Sequence, residues 1–197
     1  MSGGARSATR SILAFTSLLV CAGGVARAAE CRGIEFPSHL QLEGNELTLN
    51  GLGMRKATFL KVNVYVAGLY VVRPSRDARA LVESNGPDEL ILHFVRSVGV
   101  DDLRKAWVEG FARNSQAEVA ALQGRVSQLN AWMSDVKAGE RLIFVRRPGV
   151  GVRVEVNGTT KGVIAGDDFS RAFLAIWLGA TPPNAELKDG LLGGACG

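Results

Sequence analysis

Gly51-Leu-Gly-Met-Arg-Lys-Ala-Thr-Phe-Leu-Lys-Val-Asn-Val-Tyr-Val-Ala-Gly-Leu-Tyr-Val-Val72 is the stretch whose reading decides the fold. From Val62 to Val72, β-branched and aromatic residues dominate, which is strand composition. Alternation puts Asn63, Tyr65, Ala67, Leu69 and Val71 on one face and Val62, Val64, Val66 and Tyr70 on the other. Both faces are mainly apolar, so the strand is expected to be central and covered on both sides. Arg55 lies just upstream. A turn centred near Leu60 makes Arg55 and Tyr65 cross-strand partners, since both are equidistant from it. An arginine in an apolar setting needs an acceptor, because an unpaired buried charge is costly. No acid stands at the matching position of this hairpin. Its partner is then a distant Asp or Glu, or a bound anion such as a carboxylate, which Arg grips with two hydrogen bonds and to which Tyr65 adds a third. The plainer alternative is an Arg55 solvated at the sheet rim and a Tyr65 that only packs.

Working outward, two short β-like runs precede this stretch, His39–Leu42 and Glu46–Leu49, and Gly51 and Gly53 read as turn glycines. Ala78, Leu81 and Val82 have helical spacing, and Asn85-Gly86-Pro87 stops them. Glu89–Val95 alternates as a strand. Val100–Asn114 is the clearest helix: Asp101 and Asp102 favour its positive end, and Leu103, Trp107, Phe111 and Asn114 share a stripe. A second helical run covers about 118–136. Three strands follow, Arg141–Arg147, Val150–Val156 and Thr159–Ala165, the last two joined by the hairpin signal Asn157-Gly158. Asp167 or Asp168 is placed to cap a helix with the stripe Phe169, Ala172, Phe173, Ile176 and Trp177. Gly179 ends it, and a short helix from Asn184 through Leu192 closes the chain. Hairpins and paired helices without strict βαβ alternation predict an α+β fold, an antiparallel sheet with a layer of helices on one face.

The chain has 197 residues and a formal charge of +4. Residues 1–28 have the form of a signal peptide: Arg6 and Arg10, the apolar run Ile12–Val25, then Ala26-Arg27-Ala28. Residues 29–197 are the expected single domain. The leader carries three Arg and no acid, so the charge falls from +4 to +1 without it. Export to the periplasm or beyond is expected, with no membrane anchor after cleavage. The remaining charge has no basic stripe beyond Arg146-Arg147, which argues against a nucleic-acid partner. Cys31 and Cys196 then stand at the two ends of an exported domain, and a disulfide between them is expected, with two free thiols as the alternative.

Metal-binding and phosphate-loop spacings are missing, His39 and His93 are isolated, and no serine has a nucleophile context. Neither metal nor cofactor is expected.

Gly53-Met-Arg55 leading into Lys61–Tyr70, then Leu103–Asn114, Asp168-Phe169, Ile176-Trp-Leu-Gly179 and Leu187–Gly193, in this order, resembles the chalcone isomerase-like superfamily. The resemblance covers roughly residues 42–193. It implies an open-faced β-sandwich, an antiparallel sheet backed by helices, with a ligand cleft between the central strands and two helices. The family holds plant isomerases that cyclise chalcones, plastid proteins that bind fatty acids, and bacterial members thought to be non-catalytic. The isomerases' oxyanion-holding arginine corresponds to Arg55, and their helix asparagine to Asn114. Their water-ordering threonine falls at Tyr65, their helix tyrosine at Trp107, and a polar residue of the late helix at Ile176. These three departures remove hydroxyls, and Trp107 and Ile176 make the cleft more apolar. The resemblance therefore implies a binding protein for a small apolar ligand with an acidic group: Arg55 and Tyr65 hold the acid, Asn114 adds a hydrogen bond, and Trp107, Phe111, Phe173, Ile176 and Trp177 line the apolar part. One alternative is an isomerase or lyase acting on a phenolic or enone substrate through Arg55 and Asn114. Another is a structural or partner-binding envelope protein, whose cleft would be filled by side chains and whose Arg55 would have a carboxylate neighbour.

Overall fold

The computed structural model describes residues 1, 28–57, 62–115 and 119–197. The expected leader, Met1 and Ala28 apart, lies outside the described residues, as does the tip of the organising hairpin. Nine strands are described: β1 (Ala28–Cys31), β2 (Ile34–Pro37), β3 (His39–Leu42), β4 (Asn45–Ala57), β5 (Val62–Val71), β6 (Asp88–Phe94), β7 (Arg141–Arg147), β8 (Gly151–Val156) and β9 (Thr159–Ala165). Five helices accompany them: α1 (Ala78–Val82), α2 (Val100–Asn114), α3 (Val119–Trp132), α4 (Asp167–Leu178) and α5 (Ala185–Leu191).

Strands β3 to β9 form one seven-stranded antiparallel sheet in sequence order, and β1 and β2 form a separate hairpin. A curled antiparallel sheet with helices on one face is the α+β architecture expected above. The β8–β9 turn is made by Asn157 and Gly158, both at positive φ (50° and 76°), as a tight hairpin of this kind requires.

The alternation read for β5 divides the core. Tyr65, Ala67, Leu69 and Val71 face the helices, packing with Leu103, Trp107 and Phe111 of α2 and Phe169, Phe173 and Trp177 of α4. Val66 and Tyr70 face the other side, where Phe36 of the β1–β2 hairpin covers them. That hairpin was not expected from the sequence, although a cover on both faces was. Cys31 and Cys196 meet beside it with Cα atoms 5.9 Å apart, a separation a disulfide spans.

Gly51 and Gly53 are not turn residues. They lie inside β4, where α5 presses on the sheet: a Cβ on Gly51 would sit 2.1 Å from Gly190 O, and one on Gly53 2.3 Å from Leu187 O. Glycine is needed there for backbone approach. Asp167 and Asp168 likewise sit in the first turn of α4 and do not cap it, Gly166 being the cap residue. Asp167 accepts from Gly149 N at 2.8 Å, and Asp168 pairs with Arg125 of α3 at 2.6 and 2.7 Å. Among the described residues no helix is long and apolar enough to cross a membrane.

Candidate functional site: a cleft between strand ends and two helices

Arg55 and Tyr65 are cross-strand Cα partners on β4 and β5, and Tyr65 is in turn opposite Phe94 on β6. Just beyond this row the register slips, with Lys56 opposite Asn63, so Val64 is an extra residue. Such a bulge turns neighbouring side chains toward one side. Val64 and Tyr65 both line a cleft of about 580 Å³, bounded by the ends of β4, β5 and β6, by α2, and by the C-terminal end of α4 with the segment that follows it.

Tyr65 is 9% exposed and packs edge-on against Phe94, ring centroids 5.5 Å apart. Its hydroxyl accepts a hydrogen bond from Trp177 Nε1 at 3.0 Å. A phenol has one proton to donate, and that proton has no acceptor among the described residues. Burial pushes the Tyr65 pKa up, against the lowering effects of the Trp177 bond and the Arg55 charge, so the hydroxyl stays neutral and remains a donor.

Arg55 is half-buried. Its Nη1 donates to the carbonyl of Lys56 and, at 3.3 Å, to Pro183 O. Nε and Nη2 have no acceptor, and no carboxylate lies within ion-pair distance, among the described residues. The cleft is open and no described carboxylate pairs with Arg55, so neither condition set for the structural alternative is met among the described residues.

Five of the eight residues read as ligand-binding line this cleft: Arg55, Tyr65, Trp107, Ile176 and Trp177. Phe111 and Phe173, each 1% exposed, do not; they form an aromatic layer with Phe169 and Phe144 in the core. Asn114 does not line it either. Its amide donates to Gly110 O (3.1 Å) and Thr181 O (3.0 Å) and accepts from Thr181 N (2.9 Å), which ties α2 to the segment after α4. Trp107 is 4% exposed and packs edge-on against Phe144 and Trp177; its Nε1 is buried without a hydrogen-bond partner among the described residues.

Leu92, Phe94 and Arg96 also line the cleft and were not named from the sequence. Their alternation along β6 and just past its end was the available signal. At the rim, Lys105 and Arg113 both pair with Glu109 on α2. No group of three or more metal-ligating side chains occurs among the described residues. His93 lies away from the cleft and accepts from Arg141 Nε at 3.0 Å; burial first, and then the Arg141 charge, lower its pKa.

A second arginine has the opposite surroundings. Arg146 on β7 faces Asp88 on β6, both buried, with Nε 2.8 and 3.0 Å from the carboxylate oxygens. Its remaining donors reach Val82 O at 3.1 Å, Leu81 O at 3.0 Å and Ser170 O at 3.4 Å, joining α1 and α4 to the sheet. No sequence signal marks this pair, because residues 88 and 146 meet only through the register of β6 against β7.

The same fold occurs in a fatty-acid binding protein of Arabidopsis thaliana, which superposes with a TM-score of 0.67 at 17% sequence identity, over 85% of this chain and 97% of that one. No match was found among curated proteins. The sheet, its helices and the cleft between them all fall within residues 28–193, which match the chalcone isomerase-like family along their whole length, and the chain belongs to that family.

Proposed function

We propose that this protein binds a small apolar ligand with an acidic head in the cleft, the head held by Arg55 and Tyr65. One observation carries the reading: two cross-strand neighbours at the cleft keep donors that no carboxylate among the described residues answers. A carboxylate placed between them takes two bonds from the Nε/Nη2 edge of Arg55 and one from Tyr65. The fold's likeness to a fatty-acid binding protein supports an apolar tail. The volume agrees: about 580 Å³ falls within the range of small-ligand pockets, roughly 300–1,000 Å³. Burying the tail supplies most of the affinity, on the order of 0.8 kcal/mol per methylene, and the head group fixes orientation.

Export and a Cys31–Cys196 disulfide belong to the same proposal, the first motivated by the form of residues 1–28 and the second by the pairing of the two cysteines. The test is denaturing extraction of the purified protein followed by lipid mass spectrometry, with thermal-shift titration of hexadecanoic acid. A co-purifying acid, or an upward shift that Arg55→Ala removes, is expected. Absence of both a co-purifying acid and a thermal shift sinks the reading. Decay of chalcone absorbance that depends on Arg55 would point to the isomerase alternative instead.

A further inference from the structure

Strand β3 pairs with β4 only as far as Thr48, so the outer edge of β4 around Arg55 has no described strand beside it. The segment between α4 and α5 takes that place. Asn184 Oδ1 accepts from Lys56 N at 3.3 Å, and Asn184 Nδ2 donates to Met54 O at 3.2 Å. Met54 and Lys56 are the two neighbours of Arg55, and in a strand their backbone groups point away from the β5 side. One side-chain amide thus supplies the donor and the acceptor that an adjacent strand would have given. The residue before it, Pro183, provides the carbonyl that receives Arg55 Nη1.

Asn184 also forgoes its usual work to do this. It stands at the N-cap of α5, where an Asn side chain ordinarily accepts from the first-turn N–H groups, yet no such cap bond is made. The segment itself is anchored from two further sides, by Asn114 on Thr181 and by Lys188 Nζ on Gly179 O at 2.8 Å.

We infer that Asn184 is a positioning residue for the Arg55 guanidinium: it fixes the backbone on both sides of Arg55 and carries Pro183 O to it, and so sets how strongly the cleft prefers an ionised head over a neutral one. This rests on the reading of Arg55 proposed above. A residue with this role affects acid ligands and leaves neutral ligands of the same tail alone.

The experiment titrates hexadecanoic acid and hexadecan-1-ol into the full domain, read by the fluorescence of Trp107 and Trp177, which line the cleft. Wild type is expected to prefer the acid, and Arg55→Ala to lose the preference. Asn184→Ala is expected to weaken acid binding about tenfold, the size of one charge-assisted hydrogen bond, with alcohol binding unchanged. Asn184→Asp keeps the acceptor for Lys56 N, loses the donor to Met54 O, and offers Arg55 an internal carboxylate. It is expected to bind acid more weakly than Asn184→Ala, and it carries the same comparison if the alanine variant does not fold. An acid preference that survives in both Asn184 variants but not in Arg55→Ala overturns the inference and leaves the proposed function standing. Equal weakening of acid and alcohol also overturns it, since Asn184 then serves only the fold. A wild type that does not distinguish the two ligands removes both readings together.

Discussion

Tyr65→Phe removes one oxygen and nothing else, and that oxygen has one task inside the protein and, under the proposed function, a second toward ligand. Inside the protein it is the acceptor for Trp177 Nε1, on an indole that is 1% exposed. With phenylalanine the ring still packs against Phe94, but the indole N–H is left buried without a partner. Stranding such a donor costs about 1–3 kcal/mol. In a domain of this size each kcal/mol moves Tm by about 2–4 °C, so a fall of about 5 °C is expected. Trp177→Phe removes the donor and reshapes the core as well, so neither single variant isolates the bond. The cycle with the double variant does: the coupling between positions 65 and 177 should be about 1 kcal/mol, measured by urea unfolding. A coupling near zero refutes the bond. Toward ligand, Tyr65→Phe should weaken hexadecanoic acid about fivefold, the value of one neutral donor.

The same substitution has a signature at high pH. Burial raises the folded-state pKa of Tyr65 above the ordinary 10.0. The folded protein therefore holds this proton more tightly than the unfolded chain does. The associated stability is fully present below pH 10 and is lost as pH rises through the folded value. Tyr65→Phe should lack that component of alkaline destabilisation. Parallel curves for wild type and variant above pH 10 would contradict the buried, neutral phenol.

Three further outcomes are expected. Asp88→Asn leaves Arg146 buried without its counter-charge and should cost about 3–5 kcal/mol in urea unfolding, whereas replacing both partners with leucine and methionine should cost less. Asp168, whose carboxyl the Arg125 hydrogen bonds pull down to about 2, contributes stability above its unfolded value near 3.8 that is lost as pH falls toward 2; acid titration should show the gap between wild type and Asp168→Asn closing over that window. Cys196→Ser should lower stability by about 5 kcal/mol at most, the chain-entropy value for a closure of 165 residues, and a non-reducing mass map should find Cys31 and Cys196 in one linked peptide pair.

The Arg55–Tyr65 pairing matches the expectation from a turn centred near Leu60, but by a different route. Lys56 with Asn63 and Ala57 with Val62 are centred half a residue earlier, and the extra residue Val64 restores the pairing, while alternation assigns each side chain a face. Other residues read less clearly, for identifiable reasons. Gly51 and Gly53 suit a turn or a close backbone approach equally well, and only the position of α5 shows which applies. Phe111 and Phe173 share helical stripes with Trp107 and Trp177. A stripe wide enough to face a core contains residues that meet the cleft and residues that lie behind them, and periodicity does not separate the two. Asn114 invites a ligand role because an amide among apolar residues needs partners, yet those partners are backbone groups, Gly110 O on its own helix and Thr181, 67 residues away. The β1–β2 hairpin was missed because its first strand, Ala28–Cys31, straddles the expected end of the leader and carries no β-branched or aromatic residue.

The two arginines show what this sheet does with a cation when structure alone is at stake. Arg146 is buried, and the fold surrounds it with Asp88 and three backbone carbonyls, so every part of the guanidinium has an acceptor. Arg55 is half-buried on the same helix-covered face and receives two carbonyls, both at Nη1. Its edge location lets water keep the charge tolerable, where a fully buried position would demand an acid. Supplying that acid from the chain would close the fork, and Asn184, whose side chain lies against the backbone on both sides of Arg55, is where a single change to aspartate would bring one near. The chain has an amide there. An amide holds the backbone without spending the charge, and among the described residues one planar edge of Arg55 and one phenolic proton are left unanswered at the cleft. A carboxylate ligand satisfies both at once, and a neutral ligand of equal length satisfies only part of either. Under the proposed function, selection for the acid follows from which donors the described residues leave unused, with Trp107, Ile176 and Trp177 as apolar walls for the tail.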